Sequence, residues 1–291
     1  MYKRSTGEKI FTVFNYVLLT FILIATLYPC VYVLFASVSD PVDLHNGSKL
    51  LLWPRGFTWV GYEYILDYKQ IWTGYRNTII YTVAGTTLNV ILTVMAAYCL
   101  SRKNLWGQNA MILGMVFTMY FSGGMIPTYL VIQAVGLLDN PLALILPNVV
   151  NTTNFIISLT YFRGLPYELE EAAKIDGASN MQVLFKILAP LSKPLIVVMI
   201  LYYAVGHWNS YMPAVLYISN RDYVPLQYVL RQILIQGTSL ENANTNLDQS
   251  AAVNETIKYA IIVVSTLPIL CVYPFIQKHF VKGVMVGAVK G

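Results

Sequence analysis

Six long runs without a single charged residue set the bounds on what this chain can fold into. They cover residues 11–37, 77–100, 109–133, 142–162, 194–219 and 259–277, and none holds Asp, Glu, Lys or Arg. A helix needs about 20 predominantly apolar residues to cross a hydrocarbon layer roughly 30 Å thick. A soluble core absorbs some apolar excess, but not this pattern repeated six times. Charged residues make up only 11% of the chain, against about 25% in ordinary soluble domains. The expected fold class is therefore all-α, a polytopic membrane protein with six transmembrane helices forming one membrane domain over 1–291.

The first run is longer than the apolar region of a signal peptide and has no A-x-A-like site after it, so it is expected to remain as a span. Basic residues give the orientation. With the N-terminus inside, twelve of the 19 Lys and Arg fall on the short inner segments and seven on the longer outer ones. Both termini are then expected in the cytoplasm. The net charge of +5 reflects this topology, and no nucleic-acid-binding patch is expected. Cys30, Cys99 and Cys271 all fall inside apolar runs with no C-x-x-C spacing, which reads as apolar filler and gives neither a disulfide framework nor a metal site.

One inner segment is unusually polar. ELEEAAKIDGASNMQVLFKILAPLSKP, Glu168 to Pro194, carries seven charges. Pro166 suits the first position of a short helix, and Glu168, Glu170 and Glu171 suit the positive end of its dipole. Gly177 can supply a left-handed stop, and Ser179 with Gln182 spells a capping box for a second helix. Met181, Leu184, Phe185 and Leu188 then follow the spacing of one apolar face, and Pro190 closes the segment. Physics alone leaves two readings, a well-capped connector or a docking element for a soluble partner. A connection of about thirty residues is long for the first.

Glu171-Ala172-Ala173, Asp176-Gly177-Ala178, Phe185, Ile187 and Pro190 resemble the EAA motif of binding-protein-dependent ABC importer permeases, with Ala189 where that family usually has Leu. The C-terminal GVMVGAVKG (Gly283–Gly291) resembles the tail of maltose-type carbohydrate permeases. RNTIIYT (Arg76–Thr82), AAYCLSR (Ala96–Arg102), FSGGMIPTYL (Phe121–Leu130) and GHWNSY (Gly206–Tyr211) resemble the LplC/YtcP-like oligosaccharide branch. The resemblance implies a cytoplasmic coupling loop over 164–193, in which Glu171, Ala172, Ala173, Asp176, Gly177, Phe185 and Pro190 meet a separate ATPase. It further implies an outer loop over 220–258, and a cytoplasmic tail over 280–291 ending at Gly291 that reaches toward the ATPase. The implied partners are a second, different permease, two ATPase subunits that hold the ATP and Mg²⁺, and an extracellular or periplasmic sugar-binding protein. The implied location is a bacterial cytoplasmic membrane, in contact with its lipid. No cofactor, metal or catalytic residue is expected in this chain itself.

The absence of charges inside the runs argues independently for an external energy source, because ion-coupled carriers keep such groups in the membrane. His207 is the exception, read as a packed histidine. No G-x-x-x-x-G-K-[ST] loop occurs. An ion-coupled carrier and a membrane-embedded enzyme remain as alternatives, the latter opposed by the lack of a catalytic set. Polar groups interrupt the runs: Ser122-Gly123-Gly124 and Pro127 can break the third, Asn148, Asn151 and Asn154 recur along the fourth, and Trp208, Asn209 and Tyr211 sit in the fifth. As a cluster the last six are expected to line a substrate pathway; singly, each also fits interhelical packing. Outside, 39–76 mixes turn signals with an amphipathic piece around Tyr62–Trp72. The amide-rich 220–258, with Gln232, Gln236 and Asn242, is expected to contact the receptor or to be a solvated loop.

Overall fold

The computed structural model describes residues 6–48, 50–102, 105–240, 253–271 and 274. Helices α1 (Thr6–Ser37), α2 (Pro41–Asn46), α3 (Val60–Asp67) and α4 (Lys69–Ser101) lead to α5 (Gln108–Tyr120) and α6 (Met125–Ala134). Two 3-10 turns (Pro141–Leu144 and Leu146–Asn148) precede α7 (Thr152–Arg163) and α8 (Glu168–Ile175). Then come α9 (Asn180–Leu191), α10 (Lys193–Trp208), α11 (Met212–Tyr217), α12 (Leu226–Leu240) and α13 (Val253–Cys271). Among the described residues there is no strand.

Helices α1, α4 and α13 are each long and apolar enough to cross a membrane, and three bent pairs bring the number to six if each is one span. The pairs are α5 with α6 (118°), the 3-10 turns with α7 (47°), and α9 with α10 (87°). The number matches the six apolar runs, but three of the runs are not straight helices. In the third, the chain leaves the helix over Phe121–Gly124, and Gly124 holds φ 87°, ψ −179°, a region open essentially to glycine alone. Pro127 lies in the first turn of α6, where a missing N–H costs nothing, rather than at the break. In the fourth, Asn140 caps a 3-10 turn through Leu142 N (2.9 Å), and the α-helix starts only at Thr152. In the fifth, Pro194 opens α10, which stops at Trp208, and Pro213 opens the separate α11.

The described chain falls into two compact units, the first drawn from residues up to Lys69 and from Leu230–Leu267, the second from Gln70–Val229 and from Pro268 onward. In the first, α1 buries only Ala36 and Ser37, so its apolar surface is left for lipid or a partner. Ser37 Oγ meets Tyr62 Oη of α3 at 2.8 Å, and Asp40 caps α2 by accepting from Val42 N and Asp43 N. Ala36, Leu44 and Leu51 form a small core with Tyr32 and Tyr259. The amphipathic piece expected around Tyr62–Trp72 is split at Tyr68, which caps α3 immediately before α4 begins.

In the second unit α4 is the central element. Val90, Val94, Ala97 and Tyr98 recur at three- and four-residue spacing and pack with Phe155, Leu159 and Phe162 of α7 and Leu195, Met199 and Tyr203 of α10. Polar side chains of α4 also bind the segment leading into α12. Asn77 Nδ2 donates to the carbonyls of Asp222 (2.7 Å) and Val224 (3.0 Å), Tyr81 Oη donates to Tyr223 O, and Thr78 Oγ1 accepts from Leu226 N. A Cβ on Gly74 would lie 3.0 Å from Leu226 Cα, so the close approach there favours glycine. The beginning of the expected outer loop is thus held along α4.

Candidate functional site

Two features of the second unit carry the chemistry, a polar surface element and a polar cavity. The surface element is α8 with α9. Tyr167, already helical, caps α8 by accepting from Glu170 N and Glu171 N, which places Pro166 one residue ahead of the cap rather than at the first helical position. Gly177 ends α8 at φ 81°, with Gly177 N donating to Lys174 O and Ala178 N donating to Ala173 O. This paired bond is the Schellman arrangement that a left-handed glycine makes possible. The capping box is formed in both directions: Ser179 N donates to Gln182 Oε1 (2.8 Å) and Gln182 N to Ser179 Oγ (3.3 Å).

The apolar face of α9 differs from the one its spacing predicts. Val183, Leu184 and Leu188 are buried, whereas Met181 and Phe185 are exposed. Residues Val183–Leu188 form a π turn, whose i→i+5 bonding brings positions five apart into line and rotates Phe185 outward. Of the expected coupling residues, Glu171, Ala172, Asp176, Gly177, Phe185 and Pro190 are exposed, while Ala173 is buried in the core. Gly291 and the tail over 280–291 lie outside the described residues. Beside the exposed residues of that set, on the surface of the pair, lie Met181 and Ile175, the latter 86% exposed.

The sequence reading missed Glu170. It is 2% exposed, and its carboxylate accepts from Arg102 at the end of α4, from Lys174 Nζ (2.8 Å) and, at a long 3.4 Å, from Tyr98 Oη. The Arg102 guanidinium also lies over the Tyr98 ring, 4.7 Å from its centre. The hydrogen bond it donates to Glu170 holds the half-exposed Lys174 ammonium's pKa above its ordinary value. The signal available in the sequence was Ala173, three residues on and on the same helix face.

The cavity, of about 280 Å³, is lined by Asn89 of α4, Asn148, Asn151 and Asn154 around the start of α7, and Tyr202, His207 and Ser210 at the end of α10. Asn151 is not on a helical face; it caps α7, its Oδ1 accepting from Asn154 N at 3.1 Å. Asn89 Nδ2 bonds His207 Nε2 at 3.2 Å, while Asn89 Oδ1 is buried without a partner among the described residues. A second network backs the wall: Tyr203 Oη accepts from Asn151 N (3.0 Å) and meets Thr93 Oγ1 (2.6 Å). No lining residue is a carboxylate, lysine or arginine.

The structure brings Asn148, Asn151 and Asn154 together and leaves Trp208, Asn209 and Tyr211 off the lining. Trp208 is buried near the Tyr75 ring, Asn209 Nδ2 donates back to Val205 O, and Tyr211 lies beside Tyr228. Their neighbours Gly206, His207 and Ser210 take the places expected for them. At 1.5 Å per helical residue, Asn89, Asn154 and His207 stand about 14–21 Å along α4, α7 and α10 from the ends nearest α8. Of the residues expected to contact a receptor, Gln232 is half-buried on α12; the Gln236 side chain and Asn242 lie outside the described residues.

The polar cavity and the capped polar helix pair are both held on α4, α7 and α10. Residues 71–286 match the family described as the binding-protein-dependent transport system inner membrane component. The chain belongs to that family. It is 43% identical to the polygalacturonan/rhamnogalacturonan transport system permease protein YtcP of Bacillus subtilis (strain 168), across 94% of this chain and 96% of that one. It is 41% identical to Protein LplC of the same organism, over 100% of this chain and 98% of that one. Among solved structures it is similar to a bacterial ABC transporter involved in the import of the acidic polysaccharide alginate, with a TM-score of 0.86 and 34% identity over 96% of this chain and 100% of that one. This permease is thus an inner membrane component of a transport system.

Proposed function

We propose that the chain is the permease subunit of an ATP-driven importer of oligosaccharides, with fragments of complex and often acidic polysaccharides as cargo. The cargoes named for its relatives support that class. In this reading the permease pairs with a second, different permease and with two ATPase subunits, which bind the ATP and Mg²⁺. A soluble sugar-binding protein delivers cargo from outside, where Gln232, Gln236 and Asn242 of the loop over 220–258 contact it. Both termini and the loop over 164–193 face the cytoplasm of a bacterial cell. There Glu171, Ala172, Asp176, Gly177, Phe185 and Pro190 dock to an ATPase, with Ala173 anchoring the helix and the tail to Gly291 adding to the contact.

The cavity is the observation that carries the reading. Its amides both donate and accept, as sugar hydroxyls do, and the exposed Tyr202 ring offers a flat face to sugar C–H groups. Its volume is near the lower limit of ligand pockets, roughly 300 Å³, so this chain holds one end of a longer cargo and the partner permease holds the rest. The test is uptake of labelled oligogalacturonides and alginate oligomers by proteoliposomes carrying the complex as purified with its partners. ATP-dependent uptake is expected. Asn154→Leu should lower it about tenfold, the equivalent of one or two lost hydrogen bonds. Uptake that needs no ATP, or an Asn154→Leu transporter equal to the parent, would overturn the reading.

A further inference from the structure

We infer that Glu170 and Arg102 form the tie through which movement of α8 reaches the cavity, and that Glu170 is a positioning residue distinct from the exposed Glu171 beside it. This rests on the reading of α8 as the coupling helix. Helix α8 is eight residues long and buries only Glu170 and Ala173. Ala173 makes an apolar contact with the core, and apolar contacts tolerate sliding because they have no direction. Glu170 supplies what that contact lacks. Its buried carboxylate takes hydrogen bonds from Arg102 and Tyr98, both at one end of α4. Charge-assisted bonds of this kind are directional, and fixing register is the best-attested use of a buried ion pair.

The other end of the lever lies in the same helix. Asn89 lines the cavity and Thr93 backs it, both on α4. An unbroken helix from Arg102's neighbour Ser101 up to Asn89 carries a displacement over about 18 Å. Among the described residues this carboxylate is the guanidinium's one hydrogen-bond acceptor, since Arg102 Nε and Nη2 are buried and have none. Lys174, by contrast, is 45% exposed and sits on α8 itself, so it cannot link α8 to α4. The pair therefore stays closed as α8 moves, and α4 follows.

The experiment uses the assembled transporter in proteoliposomes, with Cys30, Cys99 and Cys271 replaced by Ala, and reads uptake and ATP hydrolysis together. Glu170→Gln should still assemble with the ATPase, but transport per ATP hydrolysed should fall about tenfold, within the usual range of coupling between sites. Lys174→Ala should stay close to the parent. In Arg102→Cys/Glu170→Cys, bridging the two thiols with a reducible bifunctional methanethiosulfonate should restore transport per ATP, and reductant should abolish it again. Loss of assembly and hydrolysis in step with uptake in Glu170→Gln, or arrest of transport by the bridge, would overturn the tie. The underlying reading fails separately, if Glu171→Ala and Gly177→Val both keep full uptake.

Discussion

Gly85 lies on α4 directly beneath the His207 ring, and a single methyl group there probes how tightly the cavity wall is built. In Gly85→Ala the new Cβ would stand 2.4 Å from Nε2, 2.6 Å from Cε1 and 2.9 Å from Cδ2 of the imidazole. Ordinary contact begins near 3.4 Å, so the ring has to retreat by about 1 Å before repulsion is relieved. The bond from Asn89 Nδ2 to His207 Nε2 is already 3.2 Å long. It does not survive such a shift, since hydrogen bonds end near ~3.5 Å. Overpacking costs about 1–3 kcal/mol, and a hydrogen bond between membrane helices is worth roughly 0.6 kcal/mol on average. The variant should therefore lose about 2–3 kcal/mol in all.

Thermal unfolding of the purified complex in detergent measures this loss, expected as a fall in Tm of about 3–5 °C. Uptake should fall as well, because the displaced ring moves within the cavity. The deciding comparison is Gly85→Ala/His207→Ala. Removing the imidazole vacates the space the methyl needs, so the pair should recover most of the loss caused by Gly85→Ala alone, with a coupling energy above about 1 kcal/mol. A Tm unchanged in Gly85→Ala, or losses that simply add in the double variant, would refute the account of a ring seated on a bare helix backbone.

Two further outcomes are expected. Glu171→Ala and Gly177→Val should both insert and assemble, since Glu171 is exposed and a Cβ on Gly177 meets nothing within 4 Å. Both should hydrolyse ATP without matching uptake, Gly177→Val through about 1–2 kcal/mol of left-handed backbone strain, and normal transport by both would remove the coupling role. Deleting Thr238–Gln249 should lower uptake and receptor-stimulated ATP hydrolysis with little change in Tm; unchanged uptake would move the receptor contact to 39–76.

What could be read from the sequence follows the strength of the physical signal. The spans were legible because uncharged runs of that length have few alternatives, and the elbow at Gly177 and the box at Ser179–Gln182 were legible because caps are local, each closing bonds within a few residues. The breaks within spans were only half legible. A stretch such as Ser122-Gly123-Gly124 announces that a helix can stop but not that the next one turns by 118°. The face of α9 was misread because the rule of three and four assumes α geometry, and the π turn over Val183–Leu188 puts Phe185 outward and Val183 inward. Periodicity cannot announce its own change of period. The cavity was found through its asparagines, but the α10 residues that line it were each displaced by a position or two. On a helix that amounts to 100° or more of rotation per residue, so Trp208 faces Tyr75 while His207 faces Asn89. Glu170 shows the same limit most sharply. It and Glu171 are the same residue type, adjacent, and in the same first turn, so composition, capping and dipole arguments apply to both alike. Their difference is decided 68 residues earlier in the chain, by an arginine at the end of α4 that gives one of the two a reason to be buried.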